Sequence, residues 1–118
     1  MNSISEKKLK PFLLLVNQLF DIENKILKIK ESNSISRNMD RCKEILATEI
    51  FPDDQGLFYH NPLGEKYDET RIDCEANISG FHNDNLIIIE VIKPIIYYRL
   101  GGSQIIVQKA VVIVQSKN

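Results

Sequence analysis

Few side chains in this 118-residue chain are of a type and spacing to make or break bonds. There are two histidines, His60 and His82, and two cysteines, Cys42 and Cys74. A zinc site needs nitrogen and sulfur ligands at short, recurring spacings, and none of the four has such a partner. A nucleophilic thiol needs an electropositive, accessible setting, whereas Cys42 and Cys74 fall on apolar faces; the pair could form a single disulfide, but two buried thiols of a reducing compartment are the ordinary reading. Asp53, Asp54, Glu65, Asp68, Glu69, Asp73 and Glu75 form an acidic run. Paired carboxylates can move protons or hold a cation, but the spacing is not that of a calcium loop, and a solvated acidic face is the plainer reading. No phosphate-cradling glycine loop occurs. Tyr97 and Tyr98 beside Arg99 have the makings of a base-stacking platform, although on a hairpin such residues more often pack across strands. No enzyme signature emerges and no cofactor or metal is expected, so binding is the better class of function.

Composition narrows the partners. Fifteen basic against sixteen acidic residues give a net charge of −1, without the basic surplus that nucleic acid demands. The apolar runs are too short to span a bilayer, and the first residues do not read as an export signal. A cytoplasmic protein is therefore expected. At 43% hydrophobic and 26% charged, with nine glycines and prolines together, the chain has the makings of a packed core.

Two halves with different periods must position whatever site exists. Leu9, Phe12, Leu13, Val16, Leu19, Phe20, Ile26 and Leu27 recur three and four apart, which predicts a helix. Ser3 and Glu6 have capping-box spacing, but Pro11 argues for a start at Lys10 with the proline in the first turn. Glu31 to Ser36 reads as a loop, and Met39, Cys42, Ile45, Leu46 and Ile50 as the stripe of a second, antiparallel helix that runs to about Phe51. From there the period is two. Ile72 to Ser79 alternates, Leu86 to Lys93 is isoleucine-rich and stopped by Pro94, and Ile95–Leu100 and Gln104–Val114 flank Gly101-Gly102 as a hairpin. Helices first and strands second predict an α+β fold, with a helical part over 1–55 and a β-domain over 56–118. Leu14, Leu15 and Ile22 lie outside the main stripe. They would be covered either by a second copy, in a four-helix bundle, or by the sheet of the same chain.

One stretch is more specific. Gly56-Leu57-Phe58-Tyr59-His60-Asn61-Pro62-Leu63-Gly64-Glu65-Lys66-Tyr67-Asp68 resembles the start of the β-domain of the GrpE family, the nucleotide exchange factors of DnaK-type chaperones. There a glycine closes the helical part and Asn-Pro-x-Gly-x-Lys-Phe-Asp follows. Glu90-Val91-Ile92-Lys93-Pro94 looks like the family's Glu-Val-x-x-Pro, and Ala110 to Val114 like its closing Ala-x-Val-x-Val strand. The sequence departs from the family at Ile72, where a histidine is usual, at Ile95-Ile96 in place of Gly-Tyr, and at Gln108 in place of an arginine. The long N-terminal coiled coil has no counterpart here.

The resemblance implies a homodimer joined through a helical bundle by Leu13, Leu15, Val16, Leu19, Ile22 and Ile26. It also implies a DnaK-type chaperone as partner, with Gly56, Val91, Ile92, Gln108 and Lys109 at the contact with its nucleotide-binding domain and ADP release as the outcome. A GrpE-like structural or adaptor module without exchange activity is the alternative. Read without the family, Asn61 to Gly64 is a turn in which Asn61 bonds its own backbone, Tyr67 belongs to the core and Asp68 caps a turn.

Overall fold

The computed structural model describes residues 6–29 and 33–117. The chain is α+β, with two helices followed by a β-rich part. Helix α1 is Glu6–Leu27 and α2 is Asn33–Thr48. Strands follow as β1 Gln55–His60, β2 Lys66–Tyr67, β3 Cys74–Ser79, β4 Leu86–Lys93, β5 Ile95–Leu100, β6 Ser103–Gln108 and β7 Ala110–Ser116. They form a three-stranded sheet ordered β1-β5-β6 and a four-stranded sheet ordered β2-β4-β7-β3. Two compact units result: Met1–Phe58 with Tyr98–Ile105, and Tyr59–Tyr97 with Ile106–Asn118.

The helix boundaries differ from the periodicity reading in two places. α1 runs through Pro11 instead of starting at it. The proline forfeits one hydrogen bond, but Leu9, Val16 and Phe20 on a single stripe are all buried, and that burial outweighs it. Asn33 to Ser36, expected in the loop, already belong to α2, because short polar side chains suit a first helical turn. Ser3, half of the expected capping box, lies outside the described residues. α2 ends at Thr48, and Phe51 lies beyond it.

In the first unit the helices run antiparallel. Phe12, early in α1, packs on Phe51 at 5.0 Å between ring centroids, and Glu23, late in α1, pairs with Lys43 in α2. Phe51 also meets Tyr98 edge-on at 5.4 Å. The Tyr98 hydroxyl donates to Gln55 Oε1, and burial pushes this phenol upward from its ordinary range. Arg99 donates from Nη2 to the Ala47 carbonyl at 3.0 Å, so a cation satisfies one of the last carbonyls of α2.

In the second unit Cys74, Leu86, Ile88, Ile95, Ala110, Val112 and Val114 form the core, with Tyr67, Ala76, Val91 and Tyr97 packed against it. β4 pairs antiparallel with β7, while β3 pairs with β7 in parallel, Cys74 opposite Ala110 and Ile78 opposite Val114. The stretch expected as one strand over Gln104–Val114 is two. It breaks at Lys109, and its halves belong to different sheets. Pro94 marks the same change of sheet between β4 and β5, since it cannot donate to a ladder.

Candidate functional site

Residues Asn61 to Asp68 fold as a braced turn. Leu63 N–H donates to Asn61 Oδ1 at 3.1 Å, Glu65 N–H to the Pro62 carbonyl at 3.1 Å, and Gly64 takes φ +85°. His60 Nε2 and Glu65 Oε2 span the turn at 2.5 Å. Asp68 accepts the Thr70 N–H at 2.8 Å and also the Thr70 hydroxyl, and those bonds hold its carboxyl below the usual range. Tyr67 packs half-buried on the core. The Asn61 turn, the Asp68 cap and the placing of Tyr67 thus follow from residue chemistry alone.

Arg71 organises the next turn. It donates to Glu65 Oε1 at 2.6 Å, to Asp73 Oδ1 at 2.6 Å and to the Lys66 carbonyl at 2.9 Å. Partial burial pushes both carboxyls up, but the Arg71 guanidinium, joined at Glu65 by His60, outweighs it and holds each below its ordinary value. The same carboxylates raise Arg71. Glu65 and Asp73, read from sequence as members of a solvated acidic face, are therefore ion-paired. A lone arginine between acids carries no motif, so the sequence does not single out Arg71. Burial raises the Cys74 thiol to about 11, so it stays neutral. Neither cysteine is in a disulfide.

Among the five residues expected at a partner contact, the structure separates the exposed from the committed. Ile92 is 47% exposed because β4 carries two bulges, one across Ile88/Glu90 and one across Val91/Lys93. The extra residues, Ile89 and Ile92, are turned outward, and Val91 is returned to the core face. Lys109 is exposed at the break between β6 and β7. Gln108 donates from Nε2 to the Pro94 carbonyl at 3.0 Å, tying together the two points where strands change sheet. Gly56 lies in the other unit and is buried. A Cβ there would stand 2.0 Å from the Ala47 carbonyl oxygen.

Gln108 and Lys109 line a cleft of about 440 Å³ with Ile72, Ile106 and Val107. Ile72 is 74% exposed. Lys109 adds a cationic group to this largely apolar lining, and Lys93 is also exposed at the end of β4. Among the described residues, no group of three or more histidine, cysteine, aspartate or glutamate side chains could hold a metal ion. No helix among them is long and apolar enough to cross a membrane.

On α1, Phe12, Leu15, Leu19, Ile22 and Ile26 alternate three and four apart, the spacing of a coiled-coil seam, and Ile29 continues it just beyond the helix. Leu15, Ile22 and Ile29 are 49%, 46% and 55% exposed. Of the other residues expected at a dimer contact, Leu13 is half-buried, and Val16 is fully buried in its own chain's core. Comparison with known proteins returns no matching family model, no matching curated protein and no matching solved structure.

Proposed function

We propose that the chain is a GrpE-like co-chaperone, a homodimer through α1 that binds the nucleotide-binding domain of a DnaK-type chaperone and promotes ADP release. The observation that carries this reading is the sequence of parts. A helical hairpin ends at Thr48, Gly56 seats closely against the Ala47 carbonyl in its last turn, and the braced Asn61–Asp68 turn follows the first strand of a β-rich part. Exchange in such a system needs no bond chemistry. A protein that binds the open, nucleotide-free chaperone better than the closed one shifts the equilibrium toward release by that difference in affinity.

The dimer reading rests on Leu15 and Ile22, exposed along α1 with Leu19 half-buried between them, which a second α1 would cover; Ile26, expected in the same contact, is instead buried in its own chain. At the contact, Ile92 and Lys109 supply the accessible groups, and the cleft beside Ile72 and Gln108 supplies relief. Gly56 then acts as a positioning residue.

A second reading has its own support. Gly56 and Gln108, two of the five expected contact residues, are both committed to the fold. A module that kept these residues for architecture could bind another protein indifferently to nucleotide. Release of a fluorescent ADP from a purified DnaK-type chaperone, with and without the full chain, separates the two. Acceleration, together with binding that ADP weakens in calorimetry, is expected for an exchange factor. Binding indifferent to ADP, or no binding to the chaperone, removes the exchange factor and leaves the adaptor. Gln108→Arg restores a charge but gives up the bond to Pro94, so affinity should rise while stability falls by about 1 kcal/mol.

A further inference from the structure

β3 is a terminal strand of its sheet, with β7 as its one neighbour. The Ala110 N–H donates to the Asp73 carbonyl at 2.9 Å. In a parallel ladder the backbone groups of alternate residues face alternate sides, so those of Asp73, Glu75 and Asn77 face β7. Those of Cys74, Ala76 and Ile78 face outward. Proteins normally blunt such an edge with proline, lysine or a bulge. Over Cys74–Ser79 this one has no proline, lysine or bulge, only the charge of Glu75, and its pairing with β7 is continuous.

Two of the residues with outward-facing backbone groups, Ala76 and Ile78, line a cleft. Ala76 and Ile78, with Tyr67 and Leu86, make an apolar floor, and Asp68, Glu69 and Asp84 supply acidic groups around a volume of about 520 Å³. No lysine, arginine or histidine lines it. Thr70 keeps Asp68 ionised, so the negative charge is fixed at neutral pH. Ile78 is 49% exposed, and Phe81, three residues on, is fully exposed. An apolar floor beneath acidic groups matches a side chain with an apolar stem and a cationic head.

We propose that the free edge of β3 receives an extended segment of a partner protein, which pairs with the backbone of Ala76 and Ile78 and places a lysine or arginine side chain in the adjoining acidic cleft. Main-chain hydrogen bonds supply affinity and the cleft supplies selection, the division of labour of strand addition. The site lies wholly in the second unit and does not depend on the co-chaperone reading.

The test uses the full, isotopically labelled chain and two blocked hexapeptides of alternating valine and threonine, one with a central lysine and one with glutamate in its place. Titration followed by amide resonances should shift Ala76 and Ile78 and slow their hydrogen exchange. The lysine peptide should bind about tenfold tighter at low salt, with the margin narrowing as salt rises. Ala76→Pro removes an outward N–H that the ladder does not use and should abolish binding. Glu69→Lys, a surface change that leaves the edge intact, should erase or invert the preference. Equal affinity for both peptides, no binding at a few millimolar, or shifts confined to other strands would overturn the proposal. So would Ala76 and Ile78 amides already protected in the free chain, which would mean that a second copy covers the edge.

Discussion

Replacing Gly56 by alanine tests the junction between helix and strand. Gly56 does not take a positive φ, so the reason for glycine is proximity and not backbone freedom. The added methyl would lie 2.0 Å from the Ala47 oxygen, 2.6 Å from its carbonyl carbon and 3.0 Å from its Cα. All three atoms are backbone, so no side chain can swing away. Relief requires the end of α2 or the start of β1 to move, and overpacking of this kind costs about 1–3 kcal/mol. The displaced oxygen is also the one that Arg99 binds, and losing a charge-assisted hydrogen bond costs about 1.5–3 kcal/mol more. The two share one atom and do not add fully, so about 3–5 kcal/mol is the expected loss. At roughly 3–5 °C per kcal/mol for a chain of this size, the melting temperature should fall by about 10–20 °C. Thermal unfolding followed by circular dichroism reads this directly. A Gly56→Ala protein that melts within 2–3 °C (on the order of 0.5 kcal/mol) of the parent would refute the steric argument and return Gly56 to the set of plain surface contacts.

Three further outcomes are expected. Leu15→Glu places a charge in the α1 seam on an exposed position, so light scattering should report loss of the dimer with the β-rich part still folded; a monomeric parent chain would remove the basis of this prediction. Arg71→Met should lower stability at neutral pH. The paired Glu65 and Asp73 have depressed pKa values, so their contribution is present above the unfolded carboxylate range near pH 4 and is lost as pH falls through the folded values. The parent and variant urea midpoints should therefore converge in acid, and a constant gap from pH 7 to pH 3 would contradict the pairing. A thiol reagent at pH 8 should label Cys42 and spare Cys74 until the protein unfolds, because Cys74 is buried and its thiol is raised to about 11; two equally fast thiols would contradict that burial.

The fold class and most of the strands could be read from the sequence because their signals are local. Pro94 stops β4 and Gly101, at φ +63°, turns β5 into β6, each by its own dihedral preference. What could not be read is non-local. Leu86 to Lys93 contains Leu-Ile-Ile-Ile-Glu-Val-Ile-Lys, in which nearly every residue is apolar, so period two cannot say which isoleucine faces out. Two bulges decide it, and bulges answer to the partner strand β7. The parallel pairing of β3 with β7 joins residues 36 apart in both directions of the ladder, from Cys74↔Ala110 to Ser79↔Gln115, and has no local signature. Ile92 and Lys109 are singled out by the family resemblance alone, and both are exposed. The roles of Gly56 and Gln108 could not be read, since each is defined by a carbonyl far away in sequence, on Ala47 and Pro94 respectively.

The two compact units each draw on separated stretches of chain, residues 98–105 returning to the unit that holds residues 1–58. The backbone therefore passes between the units three times, not once. A single cut through the middle of the chain leaves one of them without a segment it needs: division at 55/56, for instance, takes Arg99 from the helix end it caps and Tyr98 from Phe51. The halves cannot be exchanged between proteins by recombination at one point, as beads on a string can. Selection must act on them as a single inheritable piece, and a working fragment of this chain will come from trimming its termini and not from splitting its middle.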